Sequence, residues 1–147
     1  MSPSEEKATA MHTIIFFVPS ETLWLRQLID EVARRLPRDT MAVCRTAEEL
    51  IESVLTSFSG ATTVVLAVLT HDDLGAAVSL KGLLKSVRNL LILPDDSSEA
   101  LNKALSLQCC YHTSANRNQH ELVAVLEKIS AQEDGRGGRV PERFQRI

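Results

Sequence analysis

The chain has 147 residues, 44% of them hydrophobic and 24% charged, with 16 Lys and Arg against 19 Asp and Glu for a net charge of −3. That length supports one compact core and is short for two ordinary domains. The slight acidity argues against nucleic acid as a partner, since such binding rests on basic surface. The longest apolar runs, such as Val64 to Leu69, fall far short of a membrane span.

Residues Met1 to Ala10 are polar, with Glu5, Glu6 and Lys7 where a secretory peptide would be apolar. They are expected to be a disordered N-terminal segment. The three cysteines are an odd count, read as reduced thiols in a cytoplasmic protein.

From Met11 onward, short apolar runs alternate with longer amphipathic stretches. His12 to Val18 (HTIIFFV) is nearly continuous apolar sequence, as a buried parallel strand requires. Ser20 is expected to cap the next helix, which places Leu25, Leu28, Ile29, Val32 and Leu36 on one face and stops at Pro37. Met41 to Arg45 is a short second strand. Thr46 to Glu49 (TAEE) is a capping box opening a helix with Leu50, Ile51, Val54, Leu55 and Phe58, closed by Gly60.

Thr62 to Leu69 (TTVVLAVL) is the most strand-like segment and is placed at the centre of the sheet. Thr70 or Asp72 caps a third helix running to about Val87, weakened by Gly75 and Gly82. Leu90 to Leu93 is the fourth strand. Asp96-Ser-Ser-Glu99 opens a fourth helix with Leu101, Ala104 and Leu105 inward. Cys109 to Thr113 makes the fifth strand, and Asn118 with Glu121 caps a last helix carrying Leu122, Val125, Leu126 and Ile129. Beyond Ser130 the composition turns to Gly, Arg and Glu, so residues 131–147 are expected to form a flexible tail. There is no internal repeat.

Strands and helices in strict alternation specify a single α/β domain over 11–130, a doubly wound parallel sheet with helices on both faces. In this order of elements the chain resembles the response-regulator receiver family, over roughly Met11 to Ser130. The resemblance implies a five-stranded (βα)5 sheet in the order 2-1-3-4-5, with the site at the carboxyl ends of the strands.

The resemblance also locates the family's functional positions. The acidic pair that holds Mg²⁺ after the first strand is replaced by Pro19 and Ser20, although Glu21 follows. Aligning Gly75 with the glycine of the loop before helix three puts Ala67 at the phosphoacceptor position. Pro94 stands where receivers carry a Thr or Ser, and Ser114-Ala115 where they carry Lys-Pro. Phosphoryl transfer needs a nucleophile, a held metal and a cation to offset charge. The substitutions remove all of these, which resembles a pseudo-receiver: a non-catalytic regulatory module in signalling, without metal or other cofactor. Its expected partner is a protein or a second copy of itself in a C2 dimer. The partner face implied by the family is Leu101, Leu105, Tyr111, His112 and Leu122, with Tyr111 where many receivers keep a switch aromatic.

A second reading comes from the acidic residues. Asp72 and Asp73, Asp95 and Asp96, and Glu21 all fall in or near loops that converge at one edge of such a sheet. Oxygen ligands there suit Mg²⁺ or Ca²⁺, giving a flavodoxin-like metal or small-ligand site. The competing account is that the four aspartates cap helices and complement their dipoles. Cys110 and His112 lack a second pair at zinc spacing. Ser20 lacks the glycine-rich loop of a phosphate site. Trp24 is a candidate interface anchor, against the commoner outcome of packing on the loops. The tail arginines Arg136, Arg139, Arg143 and Arg146 are offset by Glu133, Asp134 and Glu142, and are read as solvated.

Overall fold

A computed structural model describes residues 12–57, 61–115 and 119–135, with side chains as far as residue 132. The strands are β1 (Thr13–Phe17), β2 (Thr40–Cys44), β3 (Thr62–Ala67), β4 (Arg88–Leu93) and β5 (Tyr111–Ser114). The helices are α1 (Leu23–Arg35), α2 (Ala47–Thr56), α3 (His71–Ser79), α4 (Ser98–Leu107) and α5 (Gln119–Gly135), and a single helical turn, Lys81–Leu84, follows α3. All strand pairs are parallel, in the order β2-β1-β3-β4-β5. This is the predicted architecture. β3 occupies the centre with every residue buried, as its β-branched run required.

The period-two alternation of each strand divides the core between the two faces of the sheet. On one face Ile14, Phe16, Val65, Leu90 and Ile92 pack with Leu25, Leu28 and Val32 of α1 and with Leu122, Leu126 and Ile129 of α5. On the other, Ile15, Phe17, Val64, Leu66 and Leu91 meet Leu50 and Val54 of α2, Leu74 and Ala77 of α3, and Ala100, Ala104 and Leu107 of α4. Each of the Val, Leu, Ile and Phe side chains among them contributes about 1.5–3 kcal/mol on burial. A one-residue register slip in any central strand would exchange the two sets.

The helix starts follow hydroxyl caps. Thr46 accepts from the Glu49 N–H at 3.2 Å, and the Glu49 carboxylate accepts the Arg45 N–H at 2.7 Å, so the predicted capping box forms with its return arm one residue early. The expected cap on α1 needs correction. Thr22, not Ser20, has the extended backbone and accepts the Leu25 N–H at 3.2 Å, because the chain bends once more after β1 before entering the helix.

Four further expectations shift. The third helix does not run unbroken to Val87: it stops at Ser79, where the Leu80 N–H turns back to Ala77 and Val78 carbonyls. On α4 the buried residues are Ala100, Ala104 and Leu107, while Leu105 is 70% exposed. Leu101 and Leu105 form an i, i+4 row one step around the helix from the row that meets the sheet. β5 begins at Tyr111, since Cys109 and Cys110 are spent on reaching the sheet, the Cys110 N–H bonding to Asn89. α5 continues to Gly135, past the expected end of the domain at Ser130. The expected N-terminal segment, residues 136–147 of the tail, Phe58, Gly60 and Asn118 lie outside the described residues. Among the described residues no helix is long and apolar enough to cross a membrane.

Candidate functional site

In a parallel βα sheet, the loops leaving the strands gather at one edge, and this carboxyl edge is where the predicted site positions fall. The ladder extends one residue beyond three strand ends: Val18 N–H bonds to Cys44 at 2.7 Å, Val68 to Ile92 at 3.0 Å and Ala115 to Leu93 at 2.9 Å. Pro19 and Ser20 follow β1 as bends, with Ser20 exposed. Ala67 is the last residue of β3, opposite Ile92 and fully buried. Val68 next to it is also buried, and Trp24, Leu69 and Ala115 pack over the same core cluster as Ala67. The centre of the edge is therefore apolar. Shifting the β3 alignment by one residue in either direction meets Leu66 or Val68, which also carry no carboxylate. Pro94 follows β4 and is half-buried.

Ser114 ends β5 with its side chain buried, and its hydroxyl donates to Asp96 Oδ1 in the β4–α4 loop. The neighbouring Asp95 reaches the opposite way. Its Oδ2 lies 2.9 Å from His71 Nε2 at the start of α3, and its Oδ1 accepts the Ser97 N–H at 3.0 Å. Hydrogen bonding by the Ser97 side chain first and His71 second, with the Ser97 N–H after them, holds the Asp95 carboxyl down at about 2.

Glu21 is engaged by two guanidinium groups, from Arg45 at 2.7 Å and Arg26 at 2.8 Å. Those bonds, the Arg45 one foremost, hold its carboxyl below the ordinary value. The helix caps are Thr70 and Ser97, not the aspartates: Thr70 accepts the Asp73 N–H at 3.0 Å and Ser97 the Ala100 N–H at 3.2 Å. Asp72 and Asp73 sit in the first turn of α3, where their charge complements the helix dipole. Among the described residues no three His, Cys, Asp or Glu side chains are grouped so as to hold a metal ion. Glu21, Asp95 and Asp96 instead face partners within the protein.

The expected partner face is only partly outward. Leu105 projects into solvent and Leu101 and His112 are half-buried. Leu122 is 1% exposed and belongs to the core. Tyr111 is buried too, its hydroxyl donating to Glu121 at 2.7 Å. Burial first, and the Glu121 carboxylate second, push the Tyr111 phenol up. The cysteines are free; burial raises Cys110 and pushes the Cys109 thiol up to about 11, so neither is an activated thiolate.

The pairs His71–Asp95 and Asp96–Ser114 escaped the sequence reading. Its available signal was an Asp-Asp step after β4 together with a hydroxyl at the end of β5, on neighbouring strands whose register brings Leu93 opposite Ser114.

No family model matches the sequence, and no curated protein matches it. Solved structures do. A chain in the co-crystal of the Saccharomyces cerevisiae histidine phosphotransfer signalling protein Ypd1 and the receiver domain of its downstream response regulator Ssk1 superposes with a TM-score of 0.59 at 11% identity. That match covers 84% of this chain and 91% of the other. The CheY-like response regulator receiver domain protein from Methanospirillum hungatei JF-1 gives a TM-score of 0.54 at 8% identity, over 84% and 97% of the two chains. At such identities the likeness is one of backbone architecture, and with the 2-1-3-4-5 parallel order it identifies the fold of this chain as receiver-like α/β.

Proposed function

We propose that the chain is a pseudo-receiver: a non-catalytic signalling module, not phosphorylated at the usual receiver position, that acts through protein contacts. The observation that carries the reading is the apolar end of β3. Ala67 is buried between Val68 and Leu66, and the first acids downstream, Asp72 and Asp73, already belong to α3. A phosphoryl acceptor there would need a carboxylate beside a carboxylate-held cation, whereas Pro19, Ser20, Ala67, Pro94 and Ser114 supply neither acid nor amine. The Ser114 hydroxyl and the Glu21 carboxylate, the polar groups nearest in sequence to that role, are taken by Asp96 and by Arg26 and Arg45.

The solved structure with the Ypd1 phosphotransfer protein gives a receiver domain in a protein complex, and this chain is read as working through a protein partner as well. On the α4–β5 side the contact would centre on Leu105, with Leu101 and His112 beside it. Leu105→Arg should abolish partner capture or self-association, read as solution mass, while leaving the unfolding midpoint unchanged. Unaltered mass and capture would remove this face from the account.

Mg²⁺ titration tests the carboxyl edge. Trp24 packs over this edge, so a cation binding there would alter its fluorescence. No saturable change is expected up to millimolar Mg²⁺, a range in which even weak sites fill. A saturable change would favour a metal-binding domain instead.

A further inference from the structure

The β4–α4 loop is fastened in two directions by consecutive residues. Asp95 reaches α3 through His71, and Asp96 reaches the end of β5 through the Ser114 hydroxyl. The two arms differ in exposure: the Asp95 and His71 side chains are 50% and 39% exposed, whereas Asp96, itself exposed, bonds to a Ser114 that is buried. Two residues after Asp95 comes Ser97, the N-cap of α4, so whatever fixes the loop also fixes the entry of the helix that presents Leu101 and Leu105.

We propose that Asp95 and Asp96 form a strap across the carboxyl edge, with the half-buried Ser114–Asp96 arm as its anchor and the exposed His71–Asp95 arm as its releasable end, setting the position of α4. The inference does not depend on the pseudo-receiver reading, because it needs only the strand order and these side-chain partners. Hydrogen bonding explains the asymmetry. A bond whose loss leaves the buried Ser114 hydroxyl unpaired weighs more than an exposed His–carboxylate contact in competition with water. A cationic side chain from a partner could take over Asp95 and loosen α4 while Asp96 stays in place.

Amide hydrogen exchange of the full chain, followed by mass spectrometry over residues 94–100, tests the strap. Ser114→Ala keeps the Asp96 charge and removes the bond, and should speed exchange there about fivefold, the change expected for a bond of ~1 kcal/mol. His71→Ala should have a smaller effect confined to residues 71–73 and 94–97. Asp96→Asn keeps an oxygen that accepts from Ser114 but removes the charge, and should exchange like the wild type. If Ser114→Ala changes nothing, or if Asp96→Asn loosens the loop and Ser114→Ala does not, charge at the α4 N-terminus holds the loop and the strap is refuted. Should Ser114→Ala fail to fold, Asp96→Ala against Asp96→Asn makes the same comparison. Faster exchange in Asp96→Ala alone supports the strap, and equal exchange in the two refutes it.

Discussion

His12 and Asp39, 27 residues apart, meet at the amino edge of the sheet with Nδ1 and Oδ2 3.0 Å apart. The contact lies within a buried polar chain. His12 Nε2 is 2.7 Å from the Thr63 hydroxyl on β3, and the second oxygen of Asp39 accepts from Ser130 of α5 at 3.0 Å. One carboxylate thereby ties the α1–β2 loop to β1 and to the last helix. Asp39→Ala orphans both the His12 ring nitrogen and the Ser130 hydroxyl. At about 1–3 kcal/mol for each buried group left unpaired, the loss should be at least ~2 kcal/mol, read as a lower urea midpoint at unchanged m-value. A loss under about 0.5 kcal/mol would show that water replaces the carboxylate.

The two leucines near the end of α4 should separate cleanly. Leu107 fills the core beside Ala100 and Ala104, so Leu107→Ala should cost roughly 2–5 kcal/mol. Leu105→Ala should stay within about 0.5 kcal/mol of the wild type, as exposed substitutions do. Equal costs in chemical denaturation would mean that α4 is rotated from the orientation described.

Gln108, the C-cap of α4, takes a left-handed backbone at φ 54°, ψ 46°. A side chain in this region costs roughly 1–2 kcal/mol relative to glycine, partly offset by the greater freedom glycine has when unfolded. Gln108→Gly is expected to raise stability by about 0.5–1 kcal/mol. A decrease in the thermal midpoint would contradict the cap geometry.

Asp95 gives a pH dependence with a definite sign. Its carboxyl is lowered from 3.8 to about 2 in the folded protein, so its contribution is fully present above 3.8 and is lost as pH falls through the folded value. Removing the Ser97 hydroxyl, the foremost cause, should move the Asp95 titration back toward 3.8, and His71→Ala should move it less. Carboxyl carbon chemical shifts followed from pH 5 downward would report this. An Asp95 midpoint already at 3.8 in the wild type would dissolve the link to Ser97 and His71.

The sheet was readable because its information is local. The runs TIIFF and TTVVLA are too uniformly apolar for an amphipathic surface, and strict alternation with helices leaves only parallel pairing. The capping box at Thr46 was equally plain, since its two partners lie three residues apart. Less readable were choices between near neighbours. Ser20 and Thr22 both offer hydroxyls, and only the backbone path out of β1 decides which one caps. Leu105 and Leu107 flank Ser106 with equal hydrophobicity, and the orientation of α4 on the sheet selects between them. Least readable were the side-chain pairs made by folding itself. His12 with Thr63, Ser130 with Asp39 and Ser114 with Asp96 join elements 51, 91 and 18 residues apart, and no periodicity links them. The acids of the carboxyl edge suggested metal or caps to the sequence, while the partners of Glu21, Asp95 and Asp96 are two arginines, a histidine and a serine.

The account turns on the buried Ala67 at the end of β3. Incubation of the full chain with acetyl phosphate and Mg²⁺, followed by intact-mass analysis, addresses it directly. The mass should be unchanged at times when an ordinary receiver is phosphorylated. A stable phosphoryl adduct, mapped to Asp72, Asp73 or any other carboxylate of this edge, would contradict the pseudo-receiver account.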